Sequence, residues 1–286
     1  MKLEDYDQYN IVTDSCTDFS ENAEEKDDYK RVPFVINIDG KEFVDVKLEI
    51  KSLLHAMKHR SNKITTSCPS PSDFLTTFSQ KANNFVVTIS SKLSGAYNSA
   101  MLAKELFLDE GLDEKFIHVF DSKSASAGET LVALKLRKLI DKGLPRPDII
   151  GEVTEYISKL KTFFIVNLEH LEKNGRISKR EAIIGSMLHI TPIMGDNGDG
   201  EIELKGKAIG RKSAIRKLID MIGSYDIDYK NTTLGITHVN AFDKAMQIKK
   251  DIASRYSFKN ILIFKASGLS TAYSDENGII VAFSVR

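Results

Sequence analysis

Strand-like and helix-like segments alternate along the first half of the chain, and this alternation restricts the fold more than any other feature of the sequence. Short runs rich in β-branched and aromatic residues predict three strands, at Tyr9–Thr13, Phe85–Ile89 and Phe116–Phe120. Apolar residues recur with helical spacing around these runs, at 47–60, 71–82, 95–110 and 124–142. This pattern is typical of a parallel sheet covered by helices on both faces, a three-layer α/β/α arrangement.

A hairpin and a proline-rich break interrupt this alternation. Val35–Ile38 and Phe43-Val44 flank Asp39-Gly40, a dipeptide that favours a two-residue turn and predicts a β-hairpin. Gly143-Leu144-Pro145-Arg146-Pro147 predicts an extended linker, because proline ends helices and restricts the residue before it. We therefore place a domain boundary there, with an N-terminal domain at 1–146 and a C-terminal domain at 147–286. The 286 residues are enough for two separate cores.

The C-terminal half predicts a two-layer α/β domain with a mixed or antiparallel sheet. Residues 193–204 predict a hairpin around Asp196-Asn197-Gly198-Asp199-Gly200, which lacks the spacing and the glutamate of a calcium loop. The other predicted strands are Phe163–Leu168, Leu234–Val239, Asn260–Lys265 and Ile279–Val285. The predicted helices are 148–160, 179–189, 211–223 and 241–254.

Charge and composition argue against several classes of function. The 40 basic and 40 acidic residues balance, so the chain has no net field that would draw it to nucleic acid or to an anionic membrane. The first residues are acidic and no apolar run approaches about 18 residues, so we expect a cytoplasmic protein without stable membrane insertion. Cys16 and Cys68 have no CxxC or histidine pattern, which argues against a structural zinc and a disulfide framework.

Three polar turn segments give the strongest indication of function. They are Thr66-Ser67-Cys68-Pro69, Ser90–Gly95 and Leu171–Ser178. The second follows a predicted strand and begins a predicted helix, where free backbone N–H groups and the helix dipole favour an anion. Together with Arg176 in the third segment, these residues can bind one carboxylate or phosphate.

Small polar residues also follow each predicted strand of the first sheet, at Thr13-Asp14-Ser15, Ser90-Ser91 and Asp121-Ser122. The carboxyl ends of parallel strands share one edge of a sheet, so we expect these turns to line a ligand-binding edge. For any single one of these turns a helix cap is the better explanation, and it is their combination on one sheet edge that points to a ligand. The GxSxG, Walker A and GxGxxG motifs are absent from the sequence, so binding is a more economical hypothesis than catalysis.

Segments along the chain resemble, in order, the motifs of the DegV family. They are Thr13–Phe19, Thr66–Pro69, Leu93–Tyr97, Asp121–Ser124, Leu168–Ile177, Gly185–Pro192 and Gly235–Asn240, and the resemblance treats 9–285 as one unit. It implies a two-domain fold with a long-chain fatty acid of about 14 to 18 carbons between the domains, and no other cofactor. It also implies a binding subunit of bacterial fatty acid kinase rather than an enzyme, with a separate kinase partner that performs the ATP chemistry.

The resemblance also implies which residues bind the fatty-acid carboxylate. The family's hydroxyl, glycine and arginine positions correspond to Thr66, Ser67, Ser94, Gly95 and Arg176. Tyr273 stands where many family members have a histidine near the head group, and a phenol is bulkier but still donates one hydrogen bond. Ile209 stands where kinase-coupled members tend to have an arginine. These two departures bear on head-group geometry and on kinase docking.

Other functions remain open at this point. An enzyme acting on an acyl or phosphate ester would use Cys68 or Ser94 as nucleophile and His238 as base. A sensor of polar anions would have a wet cleft between the domains, and a lipid carrier would bind fatty acid without any kinase. A fatty acid that copurifies with the protein would separate the lipid-binding hypotheses from the first two.

Overall fold

The computed structural model describes residues 9–19, 29–58, 64–79, 83–109, 116–179 and 189–286. Its strands are β1 Tyr9–Asp14, β2 Lys30–Val32, β3 Val35–Ile38, β4 Lys41–Val44, β5 Ile64–Ser67, β6 Asn83–Thr88, β7 Ile117–Asp121, β8 Leu160–Ile165, β9 Ile190–Asp196, β10 Ile202–Ile209, β11 Thr233–His238, β12 Asn260–Lys265 and β13 Ile279–Ser284. Its helices are α1 Ile50–Met57, α2 Pro71–Leu75, α3 Ala96–Asp109, α4 Ala127–Asp141, α5 Arg146–Lys159, α6 Glu169–Lys173, α7 Arg211–Ile222, α8 Phe242–Ala253 and α9 Gly268–Ser274.

The first sheet has the strand order β2-β1-β6-β7, and all of its neighbouring strands are parallel. Successive side chains point to opposite faces, so Ile11 and Phe85 pack with α4 whereas Val12 and Val86 pack with α3. Helices therefore cover both faces, as the alternation in the sequence predicted. The short strand β2 was not predicted, because three residues carry too little periodicity to be recognised.

The predicted hairpin forms a separate antiparallel sheet with the order β4-β3-β5. Asp39 and Gly40 at its turn have φ values of 49° and 85°, the positive values that a two-residue turn of this kind requires. The register places Thr66 opposite the buried Ile36. The next residue, Ser67, lies on the opposite face and is exposed.

The second sheet is mixed, with the order β10-β9-β8-β13-β11-β12. Strands β11 and β12 are parallel, and the other neighbours are antiparallel, including the predicted hairpin of β9 and β10. Helices α7 and α8 pack on one face, and α4 and α5 contribute to the core on the other. Because α4 also contacts β1 and β6, it lies between the two large sheets.

The proline-rich break differs from the prediction of an extended linker. Helix α5 begins at Arg146, with Pro145 as its N-cap and Pro147 in its first turn. Proline is tolerated there because the first N–H groups of a helix have no partner within the helix. Helices α4 and α5 belong to one hydrophobic core, so the linker prediction is wrong. The division into domains at 146 and 147 stays a prediction.

Several other element bounds also differ from their predictions. The helix predicted at 71–82 ends at Leu75, because the Thr76 and Thr77 hydroxyls donate to nearby backbone carbonyls and such local bonds compete with the helix. The strand predicted from Phe163 begins at Leu160, directly after α5. Most of the helix predicted at 179–189 lies outside the described residues.

Candidate ligand-binding site

An apolar cavity lies where the first sheet, the hairpin sheet, the second sheet and α9 meet, and the space inside it and its open mouth amounts to about 860 Å³. The strand ends and loops of both large sheets contribute to its wall. The apolar side chains on that wall are Phe34, Ile89, Leu93, Phe164, Val166, Leu171, Ile202, Leu269 and Ile280.

Four of the predicted site residues line this cavity: Thr66, Ser94, Arg176 and Tyr273. Thr66 Oγ1 and the Tyr273 hydroxyl share a hydrogen bond of 2.8 Å. The Arg176 guanidinium lies 5.8 Å from the centre of the Tyr273 ring, and its Nε donates to the Leu93 carbonyl at 3.1 Å. The three polar segments that are far apart in the sequence therefore meet at one place.

The turn after α6 directs Arg176 toward the cavity. Gly175 has a φ of 72°, a left-handed conformation that glycine adopts without steric cost, and the Arg176 N–H then donates to the Leu171 carbonyl at 2.8 Å. Within the side chain, Nη1 donates to the Asn174 carbonyl at 2.5 Å. Nη2 makes no hydrogen bond to any described residue, so the guanidinium retains donors for an anionic ligand.

Ser94 and Gly95 lie at the N-terminus of α3. Ser94 Oγ accepts a hydrogen bond from the Ala96 N–H at 3.2 Å, and the helix that follows has 14 residues. The partial positive charge of such a helix end favours a negative group on the cavity side. A Cβ at Gly95 would lie 3.3 Å from Cys68 Sγ, so this glycine allows the Cys68 segment to pack closely on the helix start.

Other residues named from the sequence do not reach this cavity. Ser67 and Cys68 are exposed and are absent from its wall. His238 is buried at the end of β11 and lines a different groove from Ser94. A nucleophile–base pair of Ser94 and His238 is therefore not assembled.

Two buried carboxyl groups hold α9, the helix that carries Tyr273. Asp45 accepts hydrogen bonds from the N–H groups of Gly268 at 2.7 Å and Leu269 at 2.9 Å. Asp18 accepts from the Ser267 N–H at 2.8 Å. Burial raises the pKa of both carboxyl groups. These contacts fix the start of α9 and so set the position of the Tyr273 ring.

A second buried acidic group joins the ends of the first sheet. Asp14 accepts from the N–H groups of Cys16 at 2.9 Å and Ile89 at 2.8 Å, which connects the predicted polar turns after β1 and β6. Burial raises the pKa of Asp14 to about 6. Glu129 is fully buried nearby, and burial together with the Asp14 charge raises its pKa well above its usual range.

The atoms of Asp14, Cys16 and Glu129 that could bind a metal lie within 4.8 Å of one another. Both oxygens of Asp14 already accept backbone N–H groups, and burial raises the pKa of the Cys16 thiol. Burial thus favours the neutral forms of Cys16 and Glu129, whereas Asp14 is held by backbone donors. Sequence reasoning noted the polar turn at Asp14 but missed Glu129, because a glutamate in the first turn of a helix is ordinarily a surface residue.

Hydroxyl groups link the two large sheets around the cavity. Ser124 Oγ and Thr162 Oγ1 share a hydrogen bond of 2.8 Å, and Ser90 Oγ donates to the Gly200 carbonyl at 2.7 Å. A Cβ at Gly128 would lie 2.0 Å from Ser124 Oγ and 2.6 Å from Thr162 Oγ1 of β8, so only glycine allows α4 this close to β8. These contacts were missed because they join residues that are distant in the sequence.

The chain matches known proteins over nearly its whole length. A family model described as an uncharacterised protein of the DegV family matches residues 8–285. A DegV domain-containing protein of Streptococcus gordonii is 33% identical over 284 residues, which cover 97% of this chain and 99% of the relative.

Two solved structures share the fold. A DegV family protein of Ruminococcus gnavus, refined with vaccenic acid, is 35% identical with a TM-score of 0.90 and covers 96% of this chain and 99% of its own. The Streptococcus pneumoniae fatty acid kinase (Fak) B3 protein loaded with linoleic acid is 30% identical with a TM-score of 0.88. The match covers 98% of this chain and 100% of that protein.

A parallel sheet, a mixed sheet and an apolar cavity where they meet define an α/β protein with room for an apolar ligand. The chain belongs to the DegV family, as the order of its motifs indicated. The predicted combination of a parallel and a mixed sheet is confirmed. The solved relatives carry fatty acids, which agrees with the prediction of a binding protein rather than an enzyme. Among the described residues, no helix combines the length and the apolar character needed to cross a membrane.

Proposed function

We propose that this protein binds one long-chain fatty acid in the cavity between its two large sheets, with the carboxylate at Thr66, Ser94, Arg176 and Tyr273. The observation that carries the proposal is an apolar cavity whose wall brings the Arg176 guanidinium beside the hydrogen-bonded hydroxyls of Thr66 and Tyr273. The DegV proteins of the same fold that were solved with vaccenic and linoleic acid support it. The proposal requires no cofactor besides this ligand.

The cavity suits both parts of a fatty acid. A chain of palmitate length has ~14 CH₂ groups at ~0.8 kcal/mol each, so its burial contributes on the order of 11 kcal/mol before ordering costs. The carboxylate has the opposite requirement, because a buried charge costs several kcal/mol unless it is paired and hydrogen-bonded. Arg176 and the hydroxyls of Thr66, Ser94 and Tyr273 supply that pairing.

The two remaining head-group predictions differ in their support. Gly95 is exposed and absent from the cavity wall, but its N–H makes no hydrogen bond to a described residue and lies at the start of α3, next to Ser94 on that wall. The Ser67 side chain faces away from Thr66, which leaves it without a role in this arrangement.

Copurified lipid tests the binding proposal directly. We expect denaturing extraction and mass spectrometry of protein from a bacterial host to recover about one fatty acid per chain, because a dry cavity gains more from an apolar ligand than from water. Ala125 lines the cavity, so Ala125→Phe should fill it and abolish recovery, whereas Ala253→Phe at an exposed helix position should not. An empty wild type that added fatty acid does not stabilise would refute the proposal.

We further propose that the bound carboxylate is presented in the cytoplasm to a separate fatty acid kinase, which forms the acyl-phosphate. The likeness to the Streptococcus pneumoniae fatty acid kinase B3 protein supports this step. A planar guanidinium at Arg176 can pair with a carboxylate and with the acyl-phosphate that replaces it.

Reconstitution with bacterial fatty acid kinases tests the coupling. Arg176→Ala should weaken fatty-acid binding about tenfold but abolish phosphorylation, because the chain provides most of the affinity. Arg216→Ala, at an exposed arginine of α7, is the matched control. If wild type supports no acyl-phosphate formation, the protein is a lipid carrier outside that pathway, and Ile209 and Tyr273 are the first positions to restore.

A further inference from the structure

The wall of the apolar cavity is polar at two separate places. One is the proposed head-group site at Thr66, Arg176 and Tyr273. Tyr273 packs against the cluster that contains Val166, the residue after the end of β8, and Thr162 lies four residues earlier and also lines the cavity. At about 3.3 Å per residue, the second place is therefore about 13 Å from the head-group site along β8.

This second place consists of two hydroxyl groups, Ser124 Oγ and Thr162 Oγ1, which we call the distal pair. They share a single hydrogen bond of 2.8 Å, and both residues are only 6% exposed and line the cavity. Each hydroxyl has one proton, so a single bond between them uses one proton and leaves the other. Neither hydroxyl bonds to any further residue that the structure describes. The distal pair therefore holds a buried proton without an acceptor in the described part of the chain, which is costly unless a ligand accepts it.

Other buried hydroxyls of the molecule do have acceptors for their protons. Thr13 Oγ1 and Thr17 Oγ1 also share a hydrogen bond, of 3.1 Å, but Thr17 Oγ1 then donates to a backbone carbonyl at 2.9 Å. Ser126 and Ser270 line the same cavity as the distal pair, and both donate to the buried Asp18 carboxyl group. The distal pair differs from these groups because its second proton is available on the cavity wall.

The charges around the distal pair favour a neutral ligand group over a second carboxylate. One basic side chain, Lys123, and two acidic ones, Asp196 and Glu201, line this part of the cavity, and Asp196 accepts the Thr162 N–H at 2.6 Å. Lys161 lies 3.9 Å from Asp196, so even when it is included the positive charges do not exceed the negative ones. A second carboxylate would gain no net attraction here, whereas an uncharged hydroxyl oxygen can accept the unpaired proton.

We propose that the preferred ligand of the cavity is a long-chain fatty acid with a hydroxyl group near the middle of its chain. The ligand hydroxyl accepts the unpaired proton of the distal pair and donates its own proton to the other oxygen of the pair, so that all three hydroxyls are satisfied. An extended chain advances roughly 1.2 Å per bond, so a span of about 13 Å places this hydroxyl at about carbon 10 to 12. The inference rests on the proposed fatty-acid binding and adds the class of acid.

Competition of octadecanoic, 2-hydroxyoctadecanoic and 12-hydroxyoctadecanoic acids against a fluorescent fatty acid on the delipidated full chain tests the proposal. We expect wild type to bind the 12-hydroxy acid about fivefold more tightly than octadecanoic acid, because a site that bonds a ligand hydroxyl discriminates against the analogue without it. The double variant Ser124→Ala/Thr162→Val should reverse this order, with octadecanoic acid about tenfold tighter, because the ligand hydroxyl is then buried without a partner. Its affinity for the 2-hydroxy acid, whose hydroxyl lies at the head group, should match that of wild type. Thr232→Val, at a buried threonine off the cavity wall, is the matched control and should keep the wild-type order.

The double variant removes both partners of one hydrogen bond together, so it leaves no new unpaired group and circular dichroism should show an unchanged fold. The same order of the two acids in wild type and in the double variant would overturn the inference. Weaker binding of the 12-hydroxy acid than of octadecanoic acid by wild type would also overturn it, while the fatty-acid proposal would stand. If wild type bound none of the three acids, both proposals would fail.

Discussion

The hydroxyl of Tyr273 provides the sharpest test of the head-group site. Tyr273→Phe removes one oxygen atom, the partner of Thr66 Oγ1 at 2.8 Å, and keeps the ring that lies 5.8 Å from the Arg176 guanidinium. The shape of the apolar wall is therefore preserved. Any change in affinity can be attributed to the lost hydrogen bond.

The magnitude follows from what the hydroxyl must exchange. A hydrogen bond to an ionised carboxylate contributes roughly 1.5–3 kcal/mol, which alone would correspond to a change in Kd of about 10- to 100-fold. Binding also replaces or shares the existing bond to Thr66, so the net effect belongs at the lower end. We expect Kd for a 16-carbon acid to rise about tenfold.

Competition against a fluorescent fatty acid on delipidated protein measures this change. The methyl ester of the same acid has no ionised head group, so its affinity should fall much less than that of the acid in Tyr273→Phe. Tyr256→Phe is the matched control, because the Tyr256 hydroxyl donates to the Ile219 carbonyl at 3.0 Å and lies off the wall of the apolar cavity. Equal losses for acid and ester, or no loss for either, would show that Tyr273 does not contact the carboxylate.

Three further predictions concern the thiol, the buried acid and the packing of α4. Cys68→Ser should leave lipid binding unchanged, because Cys68 is exposed and lies off the cavity wall; an acyl adduct at Cys68 in intact-mass spectra would contradict this. The pKa of Glu129 is higher in the folded state than in the unfolded state, so its contribution to stability is fully present below the unfolded pKa and is lost as pH rises through the folded pKa. In urea titrations, the unfolding free energy of Glu129→Gln should therefore fall less between acidic and alkaline pH than that of wild type. An equal fall in the two proteins would refute a raised pKa for Glu129. Gly128→Ala should destabilise the protein by about 2 kcal/mol or more in the same assay, because its Cβ would overlap Ser124, whereas Gly151→Ala, with open space at the Cβ, should stabilise it by about 0.5–1 kcal/mol.

The sequence predicted the elements that local patterns specify. The buried strand Asn83–Thr88 and the turn at Asp39-Gly40 could be recognised because their side-chain type and spacing determine their conformation. Strand alternation places the Ser67 side chain on the opposite face of the sheet from Thr66. This face could be assigned only once β5 was known to pair with β3 in the observed register. Helix bounds at Pro145–Pro147 were misjudged because proline favours a helix start as well as a linker.

The contacts that fix the site could not be predicted from local patterns, because the residues that make them are distant along the chain. Thr66 and Tyr273 are 207 positions apart, and Asp45 reaches α9 across 223 positions. Nothing in the local sequence distinguishes such an aspartate from a surface one. A buried carboxyl group costs free energy unless backbone N–H groups donate to it in one particular geometry. Such a carboxyl group therefore specifies the position of the backbone that it contacts more than it adds stability. Asp18 and Asp45 therefore hold α9 in place through contacts of their own, and Tyr273 does not depend on the fatty acid to bring it to the cavity wall.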